Sequence, residues 1–82
     1  MSRKEKLKLM SNSELCVVEI TFIDGSKAKG GVVVYYDEDD NENGKACIGF
    51  VPEVESYDEC ADGILVDEDD ISDIKIIKEM QC

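Results

Sequence analysis

Apolar residues in this chain fall in short clusters, most of them alternating with polar positions, and the spacing changes along the chain. At the N-terminus, Leu7 and Met10 are three residues apart among Arg and Lys, in residues of good helix propensity, so residues 2–10 predict a short amphipathic helix. Ser11, Asn12 and Ser13 are expected to end it. From residue 14 the period shortens to two. Cys16, Val18, Ile20 and Phe22 then share one face of a half-buried strand, and Val17, Glu19, Thr21 and Ile23 share the other. Asp24-Gly25 is a turn signal, and the Val- and Tyr-rich segment after it reads as a second strand. Inside that strand, Gly30-Gly31 marks a bulge or sharp bend where the chain leaves one sheet layer for the next.

A third strand is predicted around Ala46, Ile48 and Phe50, ended by Pro52. Residues 52–63 are polar and loop-like; residues 64–67 form a short fourth strand. Ile71, Ile74 and Ile76 suggest one tight helical turn running into a fifth strand. Five short strands joined mostly by hairpin-length connections indicate a mainly β fold, a small antiparallel barrel behind an N-terminal helix. At 82 residues the chain reads as one domain: helix over 1–13, barrel over 14–78, tail over 79–82. A core of this size gives only a few kcal/mol, so self-association into a homo-oligomer is expected.

Charge narrows the partners. Residues 1–30 carry six Lys/Arg against four acids, whereas the remainder carries three Lys against sixteen acids, which yields the net charge of −11. Nucleic-acid affinity comes largely from Lys and Arg displacing counterions from phosphates, so DNA or RNA binding is disfavoured. An acidic surface keeps a protein soluble, and the same field attracts a basic protein partner. Glu5 interrupts the basic N-terminus and no apolar segment or cleavage site follows, so residues 1–13 do not read as a signal peptide. The apolar clusters are too short to span a bilayer, and a cytoplasmic location is expected.

The four cysteines, Cys16, Cys47, Cys60 and Cys82, form no CxxC pair, and there is no histidine to complete a zinc set. Four cysteines allow three disulfide connectivities; reduced thiols suit a cytosolic protein better. Cys16, in phase with Val18 and Ile20, reads as a small buried apolar residue.

The segment "VEITFIDGSKAKGGVVVYYD", with Val18, Ile20 and Phe22 ahead of Asp24-Gly25 and Gly30 five residues later, resembles the Sm-like small-barrel family. "ILVDEDDISDIKII" is similar to that family's closing strand, short turn and final strand. The likeness covers roughly residues 14–78. It implies a strongly bent five-stranded SH3-like barrel after a short helix, with ring-forming edge pairing, closest in pattern to small uncharacterised Sm-like proteins of bacteria or their phages. In the family, an Asp and an Asn after the second strand hold a base. Asp37 stands at about the Asp position, and Asn41 or Asn43 could take the Asn role. Where the family has a basic residue and Gly before the last strand, this chain has Asp67, Glu68, Asp69 and Asp70, which oppose a phosphate.

Three stretches carry candidate chemistry. Residues 37–50 nearly spell a calcium loop, with Asp39, Asn41, Asn43 and Gly44 in place, but the twelfth position is Phe50 instead of the bidentate Glu. The better reading is a solvated hairpin closed by Asn43-Gly44, with no metal or cofactor expected. Asp67 to Asp70 are consecutive, so they fan outward as a solvated or capping run and do not converge on a metal pair. Tyr35 and Tyr36, with Val17 and Ile23, offer apolar surface for a subunit contact.

With no nucleophile context and no phosphate loop, the chain reads as a non-enzyme acting through protein binding. One alternative is a phage or mobile-element inhibitor mimicking nucleic acid, its acidic surface made of Asp37, Glu38, Asp39, Asp40, Glu42 and Asp67 to Asp70. Another is an oligomeric sponge for a nucleotide messenger, held by Asp37, Asn41, Asn43 and the tyrosine pair.

Overall fold

In the computed structural model, which describes residues 2–54, 56 and 63–80, helix α1 (Arg3–Asn12) leads into strands β1 (Cys16–Phe22), β2 (Lys27–Tyr36), β3 (Cys47–Pro52), β4 (Ile64–Asp67) and β5 (Ile71–Glu79). The Ser2 hydroxyl caps α1 by accepting from the Glu5 N–H at 3.2 Å, and Glu5 lies in the first turn, where a negative charge suits the helix dipole. The helix runs two residues past the expected Met10, until the Ser13 hydroxyl donates to the Met10 carbonyl at 2.6 Å.

All pairings are antiparallel and the sheet order is β4-β3-β2-β1-β5. The sheet is not closed: β4 and β5 are its two ends. β2 pairs with β1 through Gly31 and with β3 from Gly30 onward, so Gly30-Gly31 is where the strand passes from one neighbour to the other within a single sheet. A side chain at Gly30 would run into the Val51 carbonyl, which is why the paired strands β2 and β3 can approach so closely there only without a Cβ. The irregular step itself falls later, between Val32 and Val34, where β2 carries one extra residue against β3.

The inner face buries Met10, Cys16, Val18, Ile20, Val32, Ala46, Ile48, Phe50, Val66, Ile71 and Ile74 as one cluster, with Leu7, Leu9 and Tyr35 packed against it. Alternation in β1 and β3 thus delivers the expected inward residues. The expected helical turn before the last strand lies at Glu68–Asp70, and the uneven spacing of Ile71 and Ile74 has another cause. Phe22 faces Ile71 but Thr21 faces Asp73, so an extra residue in β5 shifts the phase.

Val17 departs from the expectation of an exposed β1 face, since it is fully buried while Ile23 is 68% exposed. Val17 is opposite Gly31, and Met80 and Val54 lie directly over that glycine. The second face of the sheet is therefore covered there, and Val17, Val51, Val54 and Met80 are buried outside the main cluster. Of the loop expected over 52–63, residues 55 and 57–62 lie outside the described residues, as do Cys60 and the end of the tail at 81–82. Among the described residues no helix is long and apolar enough to cross a membrane.

Candidate functional site

The loop between β2 and β3 satisfies itself. The Asp37 carboxylate accepts from the Asp39 N–H at 2.7 Å and opens a 3-10 turn over Glu38–Asp40. The Asn41 amide donates to the Lys45 carbonyl at 2.8 Å, and the Asn43 side chain accepts from the Lys45 N–H at 3.0 Å. Gly44 then turns the chain at φ +70°, the left-handed conformation that Asn-Gly was expected to supply. Asp37, Asn41 and Asn43, the residues singled out for a base or nucleotide, hold their own loop in this arrangement. Beside them, Tyr35 is half-buried against the core and its N–H is taken by the Glu14 carboxylate at 2.9 Å, while Tyr36 is exposed.

The two acidic runs, far apart in sequence, meet at this end of the sheet. Arg3, at the start of α1, is the link. Its guanidinium donates through Nε to Glu68 Oε2 at 2.8 Å and through Nη2 to Glu68 Oε1 at 2.9 Å, and Nη2 also reaches Glu38 Oε2 at 2.7 Å. Lys6 Nζ closes the same corner by donating to the carbonyls of Glu68 and Ile71 at 2.7 and 3.0 Å. Lys45 lies 3.6 Å from Asp69. Asp37, Asp39, Asp40, Glu42, Asp69 and Asp70 are exposed on this end, and Glu38 and Asp67 are half-buried.

Glu68 is the member of the run that does not fan outward. It is 1% exposed, and its Oε1 also accepts from the buried Ala46 N–H at 2.9 Å. The hydrogen bonds from Arg3, opposed by burial and aided by Ala46, hold its carboxyl down at about 2. Arg3 is correspondingly held above its ordinary value by its hydrogen bonds to Glu68 and Glu38. No buried side-chain nitrogen or oxygen among the described residues lacks a partner. Glu68 thus belongs to the interior, and the acidic surface comprises the other eight residues named with it, six exposed and two half-buried. Arg3 and Lys6 were not anticipated in this role; a cation run at one end of a chain and an acid run at the other was the only signal available.

Next to Asp70 lies an open groove of about 380 Å³ between the tip of the β1–β2 hairpin and β4. Phe22, Ile23, Ile64, Leu65 and Val66 give its apolar lining, and Asp24, Ser26 and Asp70 its polar rim. The Ile23 N–H donates to the Asp70 carbonyl at 3.1 Å, which ties the hairpin tip to the acidic turn. Ser26 donates twice to the Asp24 carboxylate, by its hydroxyl and its N–H, and holds that carboxyl below its usual range.

For nucleophilic chemistry the described cysteines are poorly placed. Cys16 and Cys47 are both buried free thiols, and burial pushes the Cys16 thiol up, away from the reactive thiolate. Among the described residues no three His, Cys, Asp or Glu side chains are grouped to hold a metal ion. Comparison with protein-family models, with curated proteins and with solved structures found no match.

Proposed function

We propose that this protein is a non-catalytic, acidic Sm-like binding module that acts by capturing a basic protein. The observation that carries the reading is the convergence of the 37–42 and 67–70 runs on one end of the sheet, joined through Arg3. Carboxylates that would be a diffuse property of the sequence become one surface, and a surface of one sign steers and orients a partner of the other. The small strand-rich fold, with an N-terminal helix and sheet order β4-β3-β2-β1-β5, is compatible with a bent Sm-like barrel. Mimicry of nucleic acid toward a basic groove is a special case of this reading. A nucleotide sponge has less support, because Asp37, Asn41 and Asn43 are engaged with their own loop.

The test is Asp39→Lys with Asp40→Lys, two exposed positions whose side chains make none of the hydrogen bonds that hold the loop. Loss of binding to a generic cationic peptide by anisotropy supports the acidic end as the capture surface; unchanged binding removes it.

A second reading, self-association, has its own observation. The two end strands carry exposed aliphatic side chains, Ile64 and Leu65 on β4 and Ile77 on β5, and exposed apolar residues on end strands favour pairing with another chain. Light scattering at micromolar concentration tests it, and a monomer mass would remove it.

A further inference from the structure

Three of the most exposed large apolar side chains in the described structure, Ile23 at 68%, Leu65 at 68% and Ile64 at 53%, are gathered around one groove. Such a cluster is unlike the scattered single apolar residues of an ordinary surface. At about 380 Å³ the groove has the volume of on the order of a dozen waters at ~30 Å³ each, enough to take in a bulky side chain. One wall is β4, an end strand of the sheet, whose position suits an added extended segment.

Charge selects the occupant. The ionisable residues of the lining are Asp24 and Asp70, and Asp70 continues into the exposed acidic surface through Asp69. Ser26 donates twice to the Asp24 carboxylate, which favours its charged form. An apolar floor with carboxylates at its rim matches a segment in which a bulky aliphatic residue is flanked by Lys or Arg, so that burying the one brings the others to the rim.

We propose that this groove is the anchor site for an extended cationic segment of a partner protein, which seats an aliphatic side chain between Ile23 and Leu65 and places its basic residues against Asp24 and Asp70. The inference rests on the acidic-capture reading above and adds to it the source of specificity. Charge alone would bind any cationic chain. The groove selects those carrying an aliphatic anchor.

The experiment uses the full chain and three labelled heptapeptides, followed by anisotropy at low salt: one with a central Leu flanked by Lys in a Ser background, one with Ser replacing the Leu, and one with Glu replacing each Lys. The Leu/Lys peptide is expected to bind about ten-fold tighter than the Ser/Lys peptide, the size that partial burial of one leucine supplies. The Leu/Glu peptide should not bind. Ile23→Ser with Leu65→Ser, both exposed, should abolish the preference for Leu and leave Ser/Lys binding unchanged, with an unaltered circular dichroism melt confirming the fold. Equal binding of the Leu/Lys and Ser/Lys peptides, or a preference that survives in the double variant, overturns the proposal. So does tight binding of the Leu/Glu peptide. A wild-type oligomer that becomes monomeric in the double variant, without a Leu preference, also overturns it and assigns the groove to a second copy of this chain. Failure of the acidic-capture reading is seen separately, as no binding of the Ser/Lys peptide to the wild-type chain.

Discussion

The Arg3 guanidinium and the Glu68 carboxylate, 65 residues apart in sequence, face each other through two hydrogen bonds of 2.8 and 2.9 Å. The pair is asymmetric: the Glu68 side chain is 2% exposed and the Arg3 side chain 50%. Glu68 also holds the Ala46 N–H, so the pair joins the helix start, the entry to β3 and the turn before β5. A fork-like, two-point contact of this kind gives geometry as well as energy.

Arg3→Ala should therefore destabilise the fold, because it leaves a buried carboxylate with one N–H donor. The loss stays below the roughly 3–5 kcal/mol of a fully buried pair, since water can reach the half-exposed site that Arg3 vacates. Glu68→Ala should cost more than Glu68→Gln, which keeps an acceptor for Ala46. Urea unfolding followed by circular dichroism gives these values; an Arg3→Ala loss under about 0.5 kcal/mol would show the contact to be incidental.

The same pair predicts an acid dependence. Glu68 titrates at about 2 in the fold against an ordinary value of 4.5, so the unfolded chain takes up the proton first. Its contribution is full above about 5 and is lost as pH falls from 4.5 toward 2, amounting to about 2 kcal/mol once the exposure of Arg3 is allowed for. Many other carboxylates titrate in that range, so the informative quantity is the difference between wild type and Glu68→Gln. That difference should shrink between pH 5 and 3 in urea titrations; a difference that is flat with pH would contradict the assignment.

Two glycines should respond differently to alanine. Gly30→Ala drives a methyl into the Val51 carbonyl, with Pro52 Cα at 2.9 Å, and backbone must move, at ~3 kcal/mol. Gly44→Ala meets open space and loses only the freedom to hold φ +70°, about 1 kcal/mol. Thermal melts of the two variants rank them, and a Gly44→Ala protein less stable than Gly30→Ala would reverse the account.

Val17 and Ile23 share a phase in the sequence and should differ in effect. Val17→Ala removes buried methyl groups beneath Met80 and Val54 and should cost about 2 kcal/mol. Ile23→Ser, at a 68% exposed site, should change stability by no more than about 0.5 kcal/mol. Similar losses at both positions would mean that the second face of the sheet is not covered as described.

The groove was only half legible. Ile23 could be picked out as an exposed apolar residue beside a turn, but Ile64 and Leu65 read as a short strand whose surroundings had no local marker. The acidic runs were plain in the sequence, whereas their meeting was not, because it is made by an arginine at the other end of the chain. Glu68 looks identical to its neighbours Asp67, Asp69 and Asp70 in any local pattern.

The sequence by itself determined the order of elements, the turns at Asp24-Gly25 and Asn43-Gly44, and the inward phase of Cys16, Val18 and Ile20, because turn geometry and a period of two act over a few neighbouring residues. Only the tertiary structure decided that Val17 is covered, that Glu68 turns inward onto Arg3, and that the hairpin tip and β4 line one open groove. Burial and charge pairing depend on which distant segments come to lie beside a residue, and local periodicity carries no information about them.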